Sequence, residues 1–208
     1  MSSLTLITAP AALPLTLSEL KAGARLDGID DDDALIMGYL RSAVQQIDGR
    51  DGGGGLALIT QVWDYKLDAF PLSNVMPGDP YGAVRVPLSP LQSVGSISYV
   101  DLAGATQTLS ASLYQVVGNG GDSRPKIVPA WGQTWPDTRD QPEAVTVRFT
   151  AGYGDDANDV PEPIRQALTL MVQNAYDGCE SDGPGRLLEQ YMMFMRPGAL
   201  PSLAGSTR

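Results

Sequence analysis

"VPAWGQTWPDTRDQPEAVTVRFTAGYG", residues 128 to 154, sets Trp131 and Trp135 four positions apart, ahead of an alternating run and a Gly-Tyr-Gly turn. The run from Ala144 to Thr150 is rich in β-branched residues at period two, the pattern of a half-buried strand. Gly152-Tyr153-Gly154 then reads as the turn that leads from this last strand into a helix. A phosphate loop would need a lysine and a Ser/Thr after the glycines, where Asp155 and Asp156 stand instead. The tryptophans allow two roles. They can form a stacking platform for a sugar or base, or they can plug the edge of a small sandwich core. Each lies beside a glycine or proline in a loop that enters a strand, which favours packing. Asp137, Asp140 and Glu143 would serve a glycosidase only as two carboxyls at a set separation across a cleft. In a proline-containing turn such residues are ordinarily just solvated.

Upstream, from Ala57 to Thr150, the chain stays β-like. "LITQVWDYKLDAF", "AVRVPL", "SVGSISYVD", "TQTLSASLYQVV", "PKIVPA" and "AVTVRFT" alternate or are β-branched, and turn residues separate them. They predict a small antiparallel sheet or sandwich, with hairpin tips at Asp101 to Gly104 and Gly118 to Gly121. Residues 71 to 81, "PLSNVMPGDPY", are expected to form a proline-rich loop.

Helical signals flank this region. Thr16-Leu17-Ser18-Glu19 matches a capping box and predicts a helix from Leu17 to Leu26. In "DDDDALIMGYLRSAVQQIDG", Leu35, Ile36, Tyr39, Leu40, Ala43, Val44 and Ile47 recur at helical spacing. The aspartates Asp30 to Asp33 run contiguously into apolar positions, unlike the alternating ligands of a calcium loop, and are expected to cap that helix. "GRDGGGG", 49 to 55, is expected to be a flexible joint. A third helix follows in "VPEPIRQALTLMVQNAYDG", with Pro161 and Pro163 in its first turn and Gly178 at its end. Its apolar face holds Ile164, Ala167, Leu168, Met171, Val172, Ala175 and Tyr176. After a break from Ser181 to Gly185 comes a Met-rich helix reaching Pro197, then an irregular tail. The fold class is α+β: a small helical bundle (16–50 and 155–196) carrying an inserted antiparallel β subdomain (56–154). An extended arm (1–15) precedes it and a tail (197–208) follows.

Composition narrows the function. The 208 residues contain no histidine, which removes the commonest general base and zinc ligand and every Ser-His-Asp or Cys-His arrangement. Cys179 is the single cysteine, so no internal disulfide can form. A net charge of −10 gives no non-specific grip on phosphate backbones but allows a wall past which DNA slides. No membrane span and no signal peptide are expected.

In order and combination, "LITQVW", "PLSPLQSV", "YVD", "PAWGQTWP", "VRFTAGYG" and "VPEPIRQALTLMVQNAYD" resemble the head–tail connector, or adaptor, proteins of long-tailed phages and phage-derived gene transfer agents. The resemblance runs from about Thr16 to Asp177. It implies a structural particle component with no catalytic, cofactor or metal residues. Such subunits form a ring, generally twelve-fold, beneath the portal ring. They extend the DNA channel, through which DNA passes without specific recognition, and meet stopper or tail-completion proteins. The resemblance also implies that Trp131, Trp135 and Tyr153 are structural residues of the insertion, with the tryptophans holding their loop against the strand from Ala144 to Thr150. Neighbouring subunits are expected to meet through the helix from Leu35 to Ile47 and the insertion. The C-terminal segment is expected to reach the portal through Leu187, Leu188, Tyr191, Met192, Met193, Phe194, Met195, Pro197, Leu200 and Leu203. The alternatives are a stopper or tail-completion protein of the same neck, a carbohydrate-binding β module using Trp131 and Trp135, and an acid-dependent hydrolase using the Asp137 to Glu143 cluster.

Overall fold

A computed structural model describes residues 2–26, 28, 30–72, 81–118, 125–179 and 181–194, the last five of these by backbone alone. Strands β1 (Ser2–Thr8), β2 (Gln61–Leu67), β8 (Val145–Ala151), β4 (Leu91–Val100) and β5 (Thr106–Thr108) form one antiparallel sheet in that order. A second sheet orders β3 (Val84–Arg85), β7 (Lys126–Pro129) and β6 (Tyr114–Val117). Helices α1 (Leu17–Ala24), α2 (Asp33–Ile47), α3 (Glu162–Asp177) and α4 (Gly183–Phe194) build a separate layer. The α+β expectation holds. Among the described residues no helix is long and apolar enough to cross a membrane.

The alternation in β8 explains the sandwich. Val145, Val147, Phe149 and Ala151 are fully buried, in one core with Trp63, Phe70, Val84, Val86, Leu88, Leu91, Ile97 and Ile127. Burying a side chain such as Phe149 contributes about 1.5–3 kcal/mol. Arg148 faces the other way and its guanidinium donates to both carboxylate oxygens of Asp64, its cross-strand partner on β2, at 2.7 Å each. The run "TQTLSASLYQVV" does not stay one strand. A 3-10 turn at Ala111–Leu113 divides it, sending β5 to the large sheet and β6 to the small one. The first residues of the expected arm belong to the β module: β1 pairs with β2 from Ser2↔Leu67 to Leu6↔Trp63.

In the helical layer the capping box forms. The Thr16 hydroxyl accepts from the Glu19 amide at 3.3 Å, and the Glu19 carboxylate accepts from the Thr16 amide at 2.9 Å. The helix stops at Ala24 because Arg25 turns left-handed, with φ 60°. Leu20, Ile36, Leu40, Ile164, Leu168 and Val172 make the helical core, which also takes Leu56, Leu58 and Ile59 from the segment leading into β2.

Two expectations require correction. The N-cap residue of α2, Asp32, makes no side-chain cap bond. Its carboxylate instead accepts from the Tyr176 hydroxyl at 2.7 Å, while Asp30 and Asp33 accept from the Lys21 ammonium at 2.7 and 2.9 Å. Lys21 is largely buried and a buried ammonium requires counter-charges, so the aspartates tie α2 to α1 and α3. The Gly49 to Gly55 joint is not loose. Gly49 N–H donates to the Leu56 carbonyl at 2.8 Å and Gly53 N–H to Gln46 at 3.2 Å, and the Gly55 carbonyl accepts from Ser89 N–H at 3.0 Å. Gly52 lies so close to the Ile47 carbonyl and the Asp48 amide that a Cβ would overlap them. The glycines allow backbone to pack on backbone.

Candidate assembly surfaces

The aromatic loop separates its two tryptophans. Trp135 is half-buried, and its ring stacks on Phe70 with centroids 4.7 Å apart and planes 5° apart. Its indole N–H donates to the Gly82 carbonyl at 2.7 Å, and Phe70 in turn meets Tyr99 edge-on. Trp131 is 98% exposed, against the expectation that it packs its loop onto β8. A turn closed by Gln133 N–H on the Ala130 carbonyl at 2.9 Å, with Gly132 at φ 74°, reverses the chain at Trp131 and leaves its ring in solvent. Exposed Leu72 and Tyr81 stand near it, around a cavity of about 360 Å³ also lined by Pro71, Pro129 and Trp135. This apolar rim at the end of the sandwich was hidden from the sequence reading, because nothing in the spacing of the tryptophans says which one the turn excludes.

Tyr153 sits at the junction of the two layers. Its N–H donates to the Leu58 carbonyl at 3.1 Å and its side chain packs against the helical core, not the sandwich. Gly152, at φ 140°, lies against the Ile59–Thr60 peptide at 2.6 Å from where a Cβ would stand. Asp48, just after α2, accepts from Leu58 N–H and from the Gln61 side-chain amide, both at 2.8 Å, and Gln61 accepts from the Trp63 indole at 3.2 Å. Burial raises the Asp48 pKa, partly offset by these donors. A carboxylate after a helix's last turn opposes the macrodipole. That was the signal in the sequence that Asp48 is held there by something else.

At the C-terminal end α4 packs on α3. Leu188 packs on the helical core, and Leu187 is half-buried. Tyr191, Met192, Met193 and Phe194 lie in the last turns of α4, while Met195, Pro197, Leu200 and Leu203 lie outside the described residues. On α2, Ile36, Leu40, Ala43 and Ile47 are committed to the chain's own core, whereas Leu35 is a large apolar residue left 47% exposed.

The acidic candidates do not converge on chemistry. Glu143 accepts from the Lys66 ammonium and the Ser3 hydroxyl, each at 2.8 Å, and Lys66 lowers its pKa. A glycosidase general acid needs the opposite shift. Asp137 and Asp140 are exposed, and Asp159 accepts from the Asp156 amide at 3.0 Å in a local cap. No group of His, Cys, Asp and Glu able to hold a metal occurs among the described residues.

No protein-family model matches the chain, and no curated protein does. Solved structures do match it, end to end. A chain of the neck of an empty gene transfer agent (GTA) particle, computed with C6 symmetry, is 25% identical with a TM-score of 0.69, covering 99% of this chain and 100% of that one. A chain of the virion of a native GTA particle is 26% identical with a TM-score of 0.70, over 97% and 98%. A chain of the neck of a native GTA particle, computed with C12 symmetry, is 25% identical with a TM-score of 0.64, over 99% and 100%. The likeness supports a structural component of the neck of a phage-like particle.

Proposed function

We propose that this chain is the head–tail adaptor subunit of such a neck, forming a ring below the portal that extends the DNA channel toward the stopper or tail-completion protein. The observation that carries this reading is likeness along the whole chain to GTA neck chains, with both layers and the joint between them included. The net charge of −10 suits a channel wall that must let DNA pass without holding it. The adaptor's portal contact is assigned to α4 and the segment after it, from Leu187 to Leu203. The Trp131 rim is assigned to another neck component. A glycan platform of two tryptophans is disfavoured because one face of Trp135 is taken by Phe70 and its N–H by Gly82.

The test is light scattering of the purified chain mixed with portal rings, beside a variant truncated after Glu180. The full chain is expected to join the portal in many copies and the truncated one to stay apart. A full chain that ignores portal rings but binds the preformed adaptor of the same particle is a stopper instead.

A further inference from the structure

Among the described residues, the large sheet has no further strand beside β1 and only partial cover on β4. At one end β1 pairs only with β2, so its outer row of N–H and C=O groups faces no strand among the described residues. At the other end β5 covers β4 only from Ser98 to Val100, with one further bond from Leu109 N–H to the Ile97 carbonyl. Leu91 to Ser96 therefore pair with no described strand on that side, while the Gln92 side-chain amide donates to the Thr60 hydroxyl at 2.8 Å and to the Gly152 carbonyl at 3.0 Å. The two edges match in length, seven residues against six, and neither "SSLTLIT" nor "LQSVGS" contains a charge or a proline, two devices that ordinarily keep edges apart. Leu6 and Ile7 on β1 are large apolar residues left 42% and 46% exposed.

We infer that β1 of one copy adds to the open edge of β4, Leu91 to Ser96, on the next copy, so that the sheets of neighbouring subunits join around the ring. Strand direction agrees. From β1 through β2 and β8 to β4 there are four strands, each antiparallel to the last, so β1 and β4 run in opposite senses. A copy that continues the sheet thus meets β1 with an antiparallel β4, giving the regular, perpendicular hydrogen bonds of the rest of the sheet. The alternative, β1 on β1, is isologous and closes a two-fold dimer. Rings need two different, complementary patches. The irregular registers at Leu6/Thr8 and at Leu91/Ser93 and Val94/Ser96 lie beside both edges, and bulges bend a sheet, as a sheet that follows a ring must bend.

This inference rests on the ring reading, and the experiment separates the two. A photo-crosslinking amino acid replaces Ile7, whose exposure spares the fold. Labelled and unlabelled copies are mixed and assembled on portal rings, and linked peptides are identified by mass spectrometry. Links between position 7 of one copy and residues 91–96 of another are expected. A ring whose links from position 7 fall elsewhere overturns the inference and leaves the ring standing. No ring at all overturns both. Ser93→Lys, an exposed charge on the β4 edge, is expected to keep the melting temperature and lose ring formation. Rings undiminished by Ser93→Lys overturn the strand addition.

Discussion

The joint between the layers and the rim of the sandwich were each composed to mislead, in opposite directions. The joint is built from glycines and looks slack, yet backbones approach there too closely for a Cβ, at Gly52 on Ile47 and Gly152 on the Ile59–Thr60 peptide. The rim is built from tryptophans and looks like core, yet Trp131 stands in solvent while Trp135, four residues on, is locked by Phe70 and Gly82. Residue size says how much surface can be buried. Whether it is buried depends on which way the backbone turns.

Gly152→Val breaks the comparison from the joint side. A side chain there meets both a φ of 140° and the Ile59–Thr60 backbone, so a loss of about 3 kcal/mol or more is expected, read by urea unfolding or as absence of folded protein. A wild-type melt would show that the joint is slack after all. At the rim the two tryptophans should part company. Trp135→Ala is expected to cost about 2 kcal/mol through the lost stack and hydrogen bond, whereas Trp131→Ala should stay within about 0.5 kcal/mol. Equal losses would mean that the turn at Ala130 to Gln133 does not exclude Trp131.

Two further changes sharpen the picture of the helical layer and its joint. Bonds from Thr16 and from Arg165 lower the pKa of Glu19 to about 2, so the folded value lies below the unfolded one. Its contribution is present above the ordinary carboxylate value of 4.5 and fades as pH falls toward about 2. Glu19→Gln is expected to cost about 1 kcal/mol near neutral pH and to flatten the acid limb of the stability curve. Asp48 has the opposite sign. Burial raises its folded pKa, so its contribution is full below the unfolded value and is lost as pH rises through the folded one. Asp48→Asn keeps an oxygen for Leu58 and Gln61 and should give a small gain in melting temperature at neutral pH that vanishes in acid. A loss at neutral pH would show that the charge itself is required.

Much of the helical layer was legible because its signals are local. A Thr-x-x-Glu box, apolar residues every three to four positions and a glycine after Asp177 each act within a turn or two. Strand existence was legible for the same reason, from the alternation in β8 and β2. What escaped were long-range pairings. That β1 joins the sheet depends on β2, some sixty residues away by the pairing Ser2↔Leu67. That Asp30, Asp32 and Asp33 bind Lys21 and Tyr176 depends on two other helices. The assembly surfaces were least legible, since an open strand edge is defined by what does not pair with it.

A closed many-copy ring on the portal is tested most directly by native mass spectrometry of the full-length chain bound to portal rings. A single dominant mass is expected, corresponding to a fixed set of copies related by the portal's rotational symmetry. Free monomer beside unmodified portal rings would contradict the account.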